Sequence, residues 1–328
     1  DNADLLVSQL EEETIDMSKL KTAVIGVGYL GKFHAEKYAA LEQSDLIAVV
    51  DADAGTAKAI ADKFGCQALT DYHELLGKVD AVSIAAPTTL HHQIARDFLE
   101  NDTHVLIEKP ITVTVDQADD LIELAITNDL MIQVGHLERF NAALMDLSGV
   151  LRKPTFIESH RLAPFNPRAT DVNVVLDLMI HDIDIILDIV KSDIREIRAS
   201  GTPVLTNSTD IANVRLEFEN GCVANVTASR VSAKTERKMR IFQDDAYIAV
   251  DFHNRTLDIY RKGKKEMHPG IPEIVSEKST YENSDALKLE IIAFLDSINH
   301  GTPILVSGED GRRALDAAIR ISAMLKDT

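Results

Sequence analysis

Hydrophobic and polar positions follow two different textures along this chain. Between residues 22 and 136, short unbroken apolar runs (TAVIGVG, DLIAVVDAD, AVSIAAP, THVLIEKP and LMIQVGH) read as buried strands. They are separated by stretches of helical period at Leu30 to Leu41, Thr56 to Phe64, His91 to Glu100 and Val115 to Asn128. Strands alternating with helices predict a doubly wound parallel sheet. After Asn141 the texture changes: a long amphipathic stretch, Val172 to Val190, precedes five or six strand-like runs between Ile194 and Tyr260. Successive strands without intervening helices predict a largely antiparallel sheet. Two closing helices are expected at Ala286 to Asn299 and Gly308 to Leu325. The expected class is α/β, a doubly wound domain over residues 17–140 and an α+β domain over 141–328 with a large, mostly antiparallel, open-faced sheet. The acidic residues 1–16 are expected to lie outside the fold.

A length of 328 residues supports two cores rather than one. Hydrophobic residues are 45% of the chain, enough to bury both. The formal net charge of -19 repels phosphate backbones and anionic lipid, so neither nucleic acid nor a membrane surface is expected as the main partner. With no long apolar run and no signal-like start, a cytoplasmic location is expected. Cys66 and Cys222 stand far apart without a Cys/His cluster, so no disulfide framework and no metal site are expected.

Candidate chemistry begins where the first predicted strand meets the first predicted helix. Gly26, Gly28 and Gly31 form GxGxxG around Tyr29 and Leu30. In the Rossmann arrangement Gly26 permits the tight turn, Gly28 admits a pyrophosphate to the backbone, and Gly31 lets helix and strand pack closely. The helix N-terminus then offers free N–H groups to the phosphates. Asp51, twenty residues after Gly31 at the end of a predicted strand, would accept bonds from ribose hydroxyls and repel a 2′-phosphate. NAD is therefore the expected cofactor.

A second constellation follows. Glu108 and Lys109 of EKP close a predicted parallel strand, where open sheets place ligand-binding residues. Asp177, His181, Asp184 and Asp188 recur at spacings of four, three and four, along one stripe of a helix. A carboxylate one turn from a histidine can fix its tautomer, as a general base requires. A plain solvated helix face is the alternative from periodicity alone.

These features, with AAPTTLHH at Ala85 to His92, GHLERFN at Gly135 to Asn141 and DLMIHDID at Asp177 to Asp184, resemble the Gfo/Idh/MocA oxidoreductase family from Met17 onward. The resemblance implies a catalytic group of Lys109, Asp177 and His181. It also implies that the segment with Pro87, Thr88 and His91 runs along the cofactor, with Glu108 near the nicotinamide ribose. Hydride transfer from a sugar carbinol carbon to NAD is the implied reaction, with His181 as base, Lys109 stabilising the alkoxide and Asp177 orienting His181.

The stretches GHLERFN, ESHRLAPFNPR and VVLDLMIHDIDIILDIV further resemble family members that act on C3 of UDP-N-acetylglucosamine. A nucleotide sugar would need cations, available at Arg139, His160, Arg161, Arg168, Arg230, Lys234, Arg237, Lys238 and Arg240. Arg139, Arg161 and Arg168 are the expected substrate-binding residues. A free polyol or simple sugar is the alternative substrate, and a non-catalytic dinucleotide sensor the alternative class. An apolar open sheet face is expected to drive formation of a homodimer or homotetramer.

Overall fold

The protein is described by a computed structural model over residues 19–166, 172–281 and 284–326. The expected extension at 1–16, and Arg168, lie outside the described residues. Among the described residues the strands form two sheets.

The first sheet contains β1 (Leu20–Ile25), β2 (Ser44–Val50), β3 (Gln67–Leu69), β4 (Ala81–Ile84), β5 (His104–Glu108) and β6 (Ile132–Gly135), ordered β3-β2-β1-β4-β5-β6. Pairing is parallel at β1 with β2, β1 with β4, β2 with β3, and β4 with β5. Its strands are apolar without alternation because both faces are covered: Ala23, Val24, Val105, Leu106 and Ile107 are all buried. The helices α1 (Gly31–Ala40), α2 (Ala54–Phe64), α3 (Thr88–Leu99) and α4 (Val115–Thr127) fall within a few residues of the periodic stretches that predict them. The order reverses beside β1, between β2 and β4, which is the switch point where such sheets bind ligands.

The second sheet joins β7 (Phe156–Leu162), β8 (Ile194–Thr202), β9 (Ile211–Phe218), β10 (Val223–Ser229), β11 (Glu236–Gln243), β12 (Ala246–Asp251), β13 (Thr256–His268) and β14 (Ile271–Thr280). Their order is β14-β13-β12-β11-β7-β10-β9-β8. Only β7 with β10 is parallel among the described pairings of this sheet. Burial alternates residue by residue, so that Ala212, Val214, Leu216 and Phe218 of β9 point inward with Ala224 and Val226 of β10. They share one core with Ile183 and Ile186 of α5 (Ile180–Val190) and Ile321 of the last helix, Gly308–Lys326. The remaining long helix is Ala286–His300.

The opposite face differs from expectation. It is not broadly apolar, because Asn213, Arg215 and Glu217 alternate with the inward residues of β9, as Lys238 and Arg240 do on β11. Its hydrophobic content includes one row of rings across four strands, with exposed Ile274 of β14 on the same face. Phe156 and Phe242 have centroids 5.8 Å apart, Phe242 and Tyr247 5.0 Å, and Tyr247 and Tyr260 5.3 Å.

The amphipathic stretch from Val172 is also not one regular helix. Val175–Met179 is a π-helical turn that runs into the α-helix Ile180–Val190. No described helix is long and apolar enough to cross a membrane.

Two compact units make up the chain, and their division is interleaved in sequence. One takes residues up to Ile107 with Leu124–Ile132 and Ile291–Leu305, and the other takes Glu108–Glu123, Gln133–Glu290 and Val306 onward. The boundary expected near residue 140 rests on a change of texture, which reports secondary structure and not which distant segments pack together.

Candidate active site

In the first unit, the glycine turn has the geometry a dinucleotide requires. Gly26 adopts φ +86, and a Cβ there would meet the backbone of Ala85 and Ala86 at 2.8–2.9 Å. A Cβ on Gly31 would lie 1.8 Å from the Gly26 carbonyl oxygen, so no larger residue fits. Gly28, by contrast, faces open space, with nothing within 4 Å of the same construction. The three glycines thus divide as the sequence implies: two for packing, one for approach. Helix α1 starts after Leu30 with no side-chain cap and no acidic residue in its first turn, which leaves its N-terminal N–H groups to a ligand. Tyr29 and Leu30 are exposed beside it.

Asp51 follows β2, and its carboxylate is aimed by the backbone: Oδ2 accepts from the Val27 N–H at 3.0 Å and Oδ1 from the Asp53 N–H at 3.0 Å. Each oxygen keeps a lone pair for a ribose hydroxyl. Pro87 precedes α3 and Thr88 is its first residue, while His91 is buried with Nε2 bonded to the Ala86 carbonyl at 2.8 Å. These groups fit NAD, and a carboxylate at Asp51 disfavours a 2′-phosphate.

The second unit brings Lys109, Asp177 and His181 together. Lys109 Nζ donates to the main-chain carbonyl of Asp177 at 2.8 Å. A π turn changes the hydrogen-bond spacing of a helix, and such turns recur at functional sites. Here the turn carries the carbonyl that anchors the lysine. Burial pulls the Lys109 ammonium below its usual range, and the negative charges of Asp177 and Glu108 partly restore it.

His181 is held strongly toward its neutral form. Desolvation is the main cause, followed by the positive charges of Lys109 and Arg161, with smaller contributions from the neighbouring His136 ring and from Arg237. Its Nδ1 is buried and has no hydrogen-bond partner. The expected bond from an Asp177 carboxylate to Nδ1 is therefore not formed, and burial, reinforced by nearby cations, keeps this ring neutral.

The stripe of acids on the helix is only partly solvated, since Asp184 is buried while Asp188 is 45% exposed. Asp182, off that stripe, is fully buried and binds Arg161 Nε at 2.6 Å, and it accepts from Ser159 Oγ at 2.8 Å. Arg161 also holds Glu138 at 2.9 Å. Asp184 is 3.6 Å from Arg139 Nε, and Asp188 is 2.5 Å from Arg139 Nη1. Burial pushes the Asp184 carboxyl up to about 7, with Arg139 opposing the rise. Arg139 and Arg161, expected to reach substrate, are 6% and 3% exposed and are engaged by carboxylates. Arg230 is similarly paired with buried Asp210 at 2.8 Å.

Several residues of this neighbourhood carry no distinctive sequence signal. His136 is buried within GHLERFN, 4.0 Å from Asp184, and desolvation lowers its pKa to about 3. Gly135 makes room for Glu108, since a Cβ there would meet the Glu108 carboxyl at 3.0–3.1 Å. Glu290 is fully buried, with both oxygens unpartnered and its pKa raised by burial and by Glu108. The motif GHLERFN could have flagged His136 and Glu138, but nothing in the pattern around Glu290 distinguishes it from a surface acid.

Comparison with known proteins agrees with both halves. Residues 20–136 match the oxidoreductase family with an NAD-binding Rossmann fold, and residues 148–249 match the GFO/IDH/MocA C-terminal domain. A UDP-N-acetylglucosamine 3-dehydrogenase of Acidithiobacillus ferrooxidans is 41% identical over 306 residues, 93% of this chain and 97% of its own. The chain belongs to the GFO/IDH/MocA oxidoreductase family. A solved structure of the Acidithiobacillus 3-dehydrogenase superposes on this oxidoreductase with TM-score 0.88 at 39% identity, covering 95% of this chain and 99% of the other. A myo-inositol 2-dehydrogenase of Thermotoga maritima is 25% identical and covers 90% of this chain and 93% of its own. The fold alone is shared with a scyllo-inositol dehydrogenase of Lactobacillus casei solved with NAD(H) and scyllo-inositol, at TM-score 0.77 and 21% identity, over 94% and 97% of the two chains. The oxidoreductase uses NAD.

If Arg139 is held by these acids rather than waiting for a ligand, Arg139→Ala leaves Asp184 buried and unpaired. Chemical denaturation should then show a loss of roughly 3–5 kcal/mol. A loss below 1 kcal/mol would return Arg139 to the pool of ligand-facing cations.

Proposed function

We propose that this NAD-dependent oxidoreductase oxidises C3 of UDP-N-acetylglucosamine to the 3-keto nucleotide sugar. One observation carries the substrate: similarity at 41% to a 3-dehydrogenase of that name extends over 93% of the chain, far beyond the catalytic motifs. The geometry of Lys109, Asp177 and His181 supports the reaction type. NAD supplies the hydride acceptor at its nicotinamide C4.

The chain's own groups handle the proton and the developing charge. His181 accepts the hydroxyl proton at Nε2, because Nδ1 is sealed from solvent and from partners. Its neutrality in the cationic surroundings keeps it competent as a base at neutral pH and below. Lys109, anchored on the Asp177 carbonyl, donates to the substrate oxygen as the C–H and O–H bonds break and alkoxide character builds. Asp177 contributes by positioning Lys109 through its main chain and by the negative charge that keeps the ammonium protonated.

A free polyol is the second reading, favoured by similarity to the Thermotoga myo-inositol 2-dehydrogenase at 25% identity. Retention of a complete lysine, aspartate and histidine group weighs against a purely sensory role. We also infer self-association of the second unit through the ring row of Phe156, Phe242, Tyr247 and Tyr260, which offers stacked aromatic area at low side-chain entropy cost. The cytoplasm is the location consistent with a nucleotide-sugar substrate.

NADH formation should be seen with UDP-N-acetylglucosamine and not with free glucose or myo-inositol, and the reverse pattern would move the protein to the polyol reading. His181→Ala should lower kcat by about 10²- to 10⁴-fold while NAD affinity is retained, and unchanged turnover removes His181 from the mechanism. Because the His181 pKa lies well below 6.5, the imidazole is still neutral at pH 6 and the acid limb of kcat/KM should fall below that value. A limb centred on 6.5 or higher would contradict the control of this ring by burial and nearby cations. Light scattering on the eluted protein should give a dimer or tetramer that Tyr247→Glu converts to a monomer; a wild-type monomer ends the self-association proposal.

A further inference from the structure

The cations available to an anionic substrate can be sorted by what already holds them. Arg139, Arg161 and Arg230 are buried and each has a short carboxylate partner, at 2.5 Å, 2.6 Å and 2.8 Å. Lys234 is paired with Glu236 at 2.7 Å. Lys238 and Arg240 belong to the ring-bearing face of the sheet, since they register with His160 and Glu158 of β7. Arg237 is different in both respects. It registers with Arg161 and alternates with Lys238, so it stands on the same face of the sheet as Arg161 and the catalytic helix. Its side chain is 47% exposed, and its described ion pair is a loose 3.5 Å contact with Glu138 Oε1.

That loose contact is informative. Charge-assisted bonds of a guanidinium settle near 2.7–2.9 Å, and Arg161 already takes the same Glu138 oxygen at 2.9 Å. Glu138 thus keeps a short bond without Arg237, although the single charge of Arg161 is shared between Glu138 and Asp182. Most of the five N–H donors of Arg237 face no described acceptor, and its charge is among those felt at His181. The arrangement is an unspent, solvent-facing guanidinium close to the catalytic base.

We propose that Arg237 recognises the pyrophosphate of a nucleoside-diphosphate sugar, leaving Glu138 to grip phosphate oxygens with its planar pair of donors. This rests on the nucleotide-sugar reading and assigns the phosphate contact to a residue other than Arg139 or Arg161. Arginine suits the role because its fork matches two phosphate oxygens at once, whereas lysine offers a point charge. The proposed contact is to the diphosphate and not to the carbinol being oxidised, and Arg237 is the last of the charges felt at His181, so its loss is read first in substrate binding.

The test is calorimetric titration of the NAD-loaded, full-length protein with UDP and with UDP-N-acetylglucosamine, together with steady-state kinetics. Arg237→Gln should weaken UDP binding and raise the KM for the nucleotide sugar by about 10- to 100-fold, the loss of one charge-assisted pair. Its kcat should stay within a few-fold, and its NAD affinity should be unchanged. Arg237→Lys should fall between the two, and Arg240→Gln, on the same strand but the other face, should match the wild type. Wild-type affinity for UDP in a folded, NAD-binding Arg237→Gln protein overturns the proposal. A wild-type protein that turns over a polyol and ignores UDP overturns the nucleotide-sugar reading, and Arg237 with it.

Discussion

Carboxylates buried on an apolar helix have to be met by cations, and the second unit is organised around that requirement. The helix Ile180–Val190 carries Asp182 and Asp184 into the interior, where isolated charges are prohibitively costly. Arg161 from β7 answers the first, and Arg139 from the turn after β6 answers the second. Because each arginine reaches the helix from a different element, the pairs fix the approach of strand, turn and helix to one another. Glu138 then ties Arg161 back to the turn that supplies Arg139. His181 and Lys109 inherit their positions, and much of their electrostatics, from this frame.

The frame also explains the character of the base. A histidine beside a carboxylate becomes more basic, whereas one desolvated and flanked by Lys109, Arg161 and Arg237 stays neutral and returns a captured proton readily. The lysine is lowered by burial as well, but there Asp177 and Glu108 oppose the fall and favour the ammonium.

Much of the first unit was legible in the sequence because its signals are local. GxGxxG, Asp51 and the unbroken apolar strands each report on a few adjacent residues, and the turn at Gly26 and Gly31 is sterically forced. That Lys109, Asp177 and His181 lie together is implied by the family resemblance more than by spacing. What spacing suggested about it, a helical Asp177 to His181 bond, fails because the turn at Val175–Met179 is π-helical, and no residue pattern announces that turn. Strand β7 escaped notice because its inward positions include Ser159 and Arg161, polar residues that face Asp182 instead of an apolar layer. Arg139 was read as a ligand-facing cation for the same reason: its partners Asp184, Asp188 and Asp310 are remote in sequence, and only the fold collects them. The open sheet face is expected to be apolar because this kind of sheet leaves a face uncovered by helices, but one side of the strand patterns is largely polar, as at Asn213, Arg215 and Glu217.

The interleaved division of the chain bears on how this architecture could be taken apart or recombined. A gene fragment stopping near residue 140 would encode the glycine turn and most of the parallel sheet, yet would omit Ile291–Leu305, which belongs to the same compact unit. Asp296 in that late segment is bonded to Gln43, beside β2, at 2.5 Å. Translation thus leaves the cofactor unit incomplete until nearly the last helix has emerged. Shuffling such a unit between proteins calls for two exchanged segments, since a single crossover point would sever it.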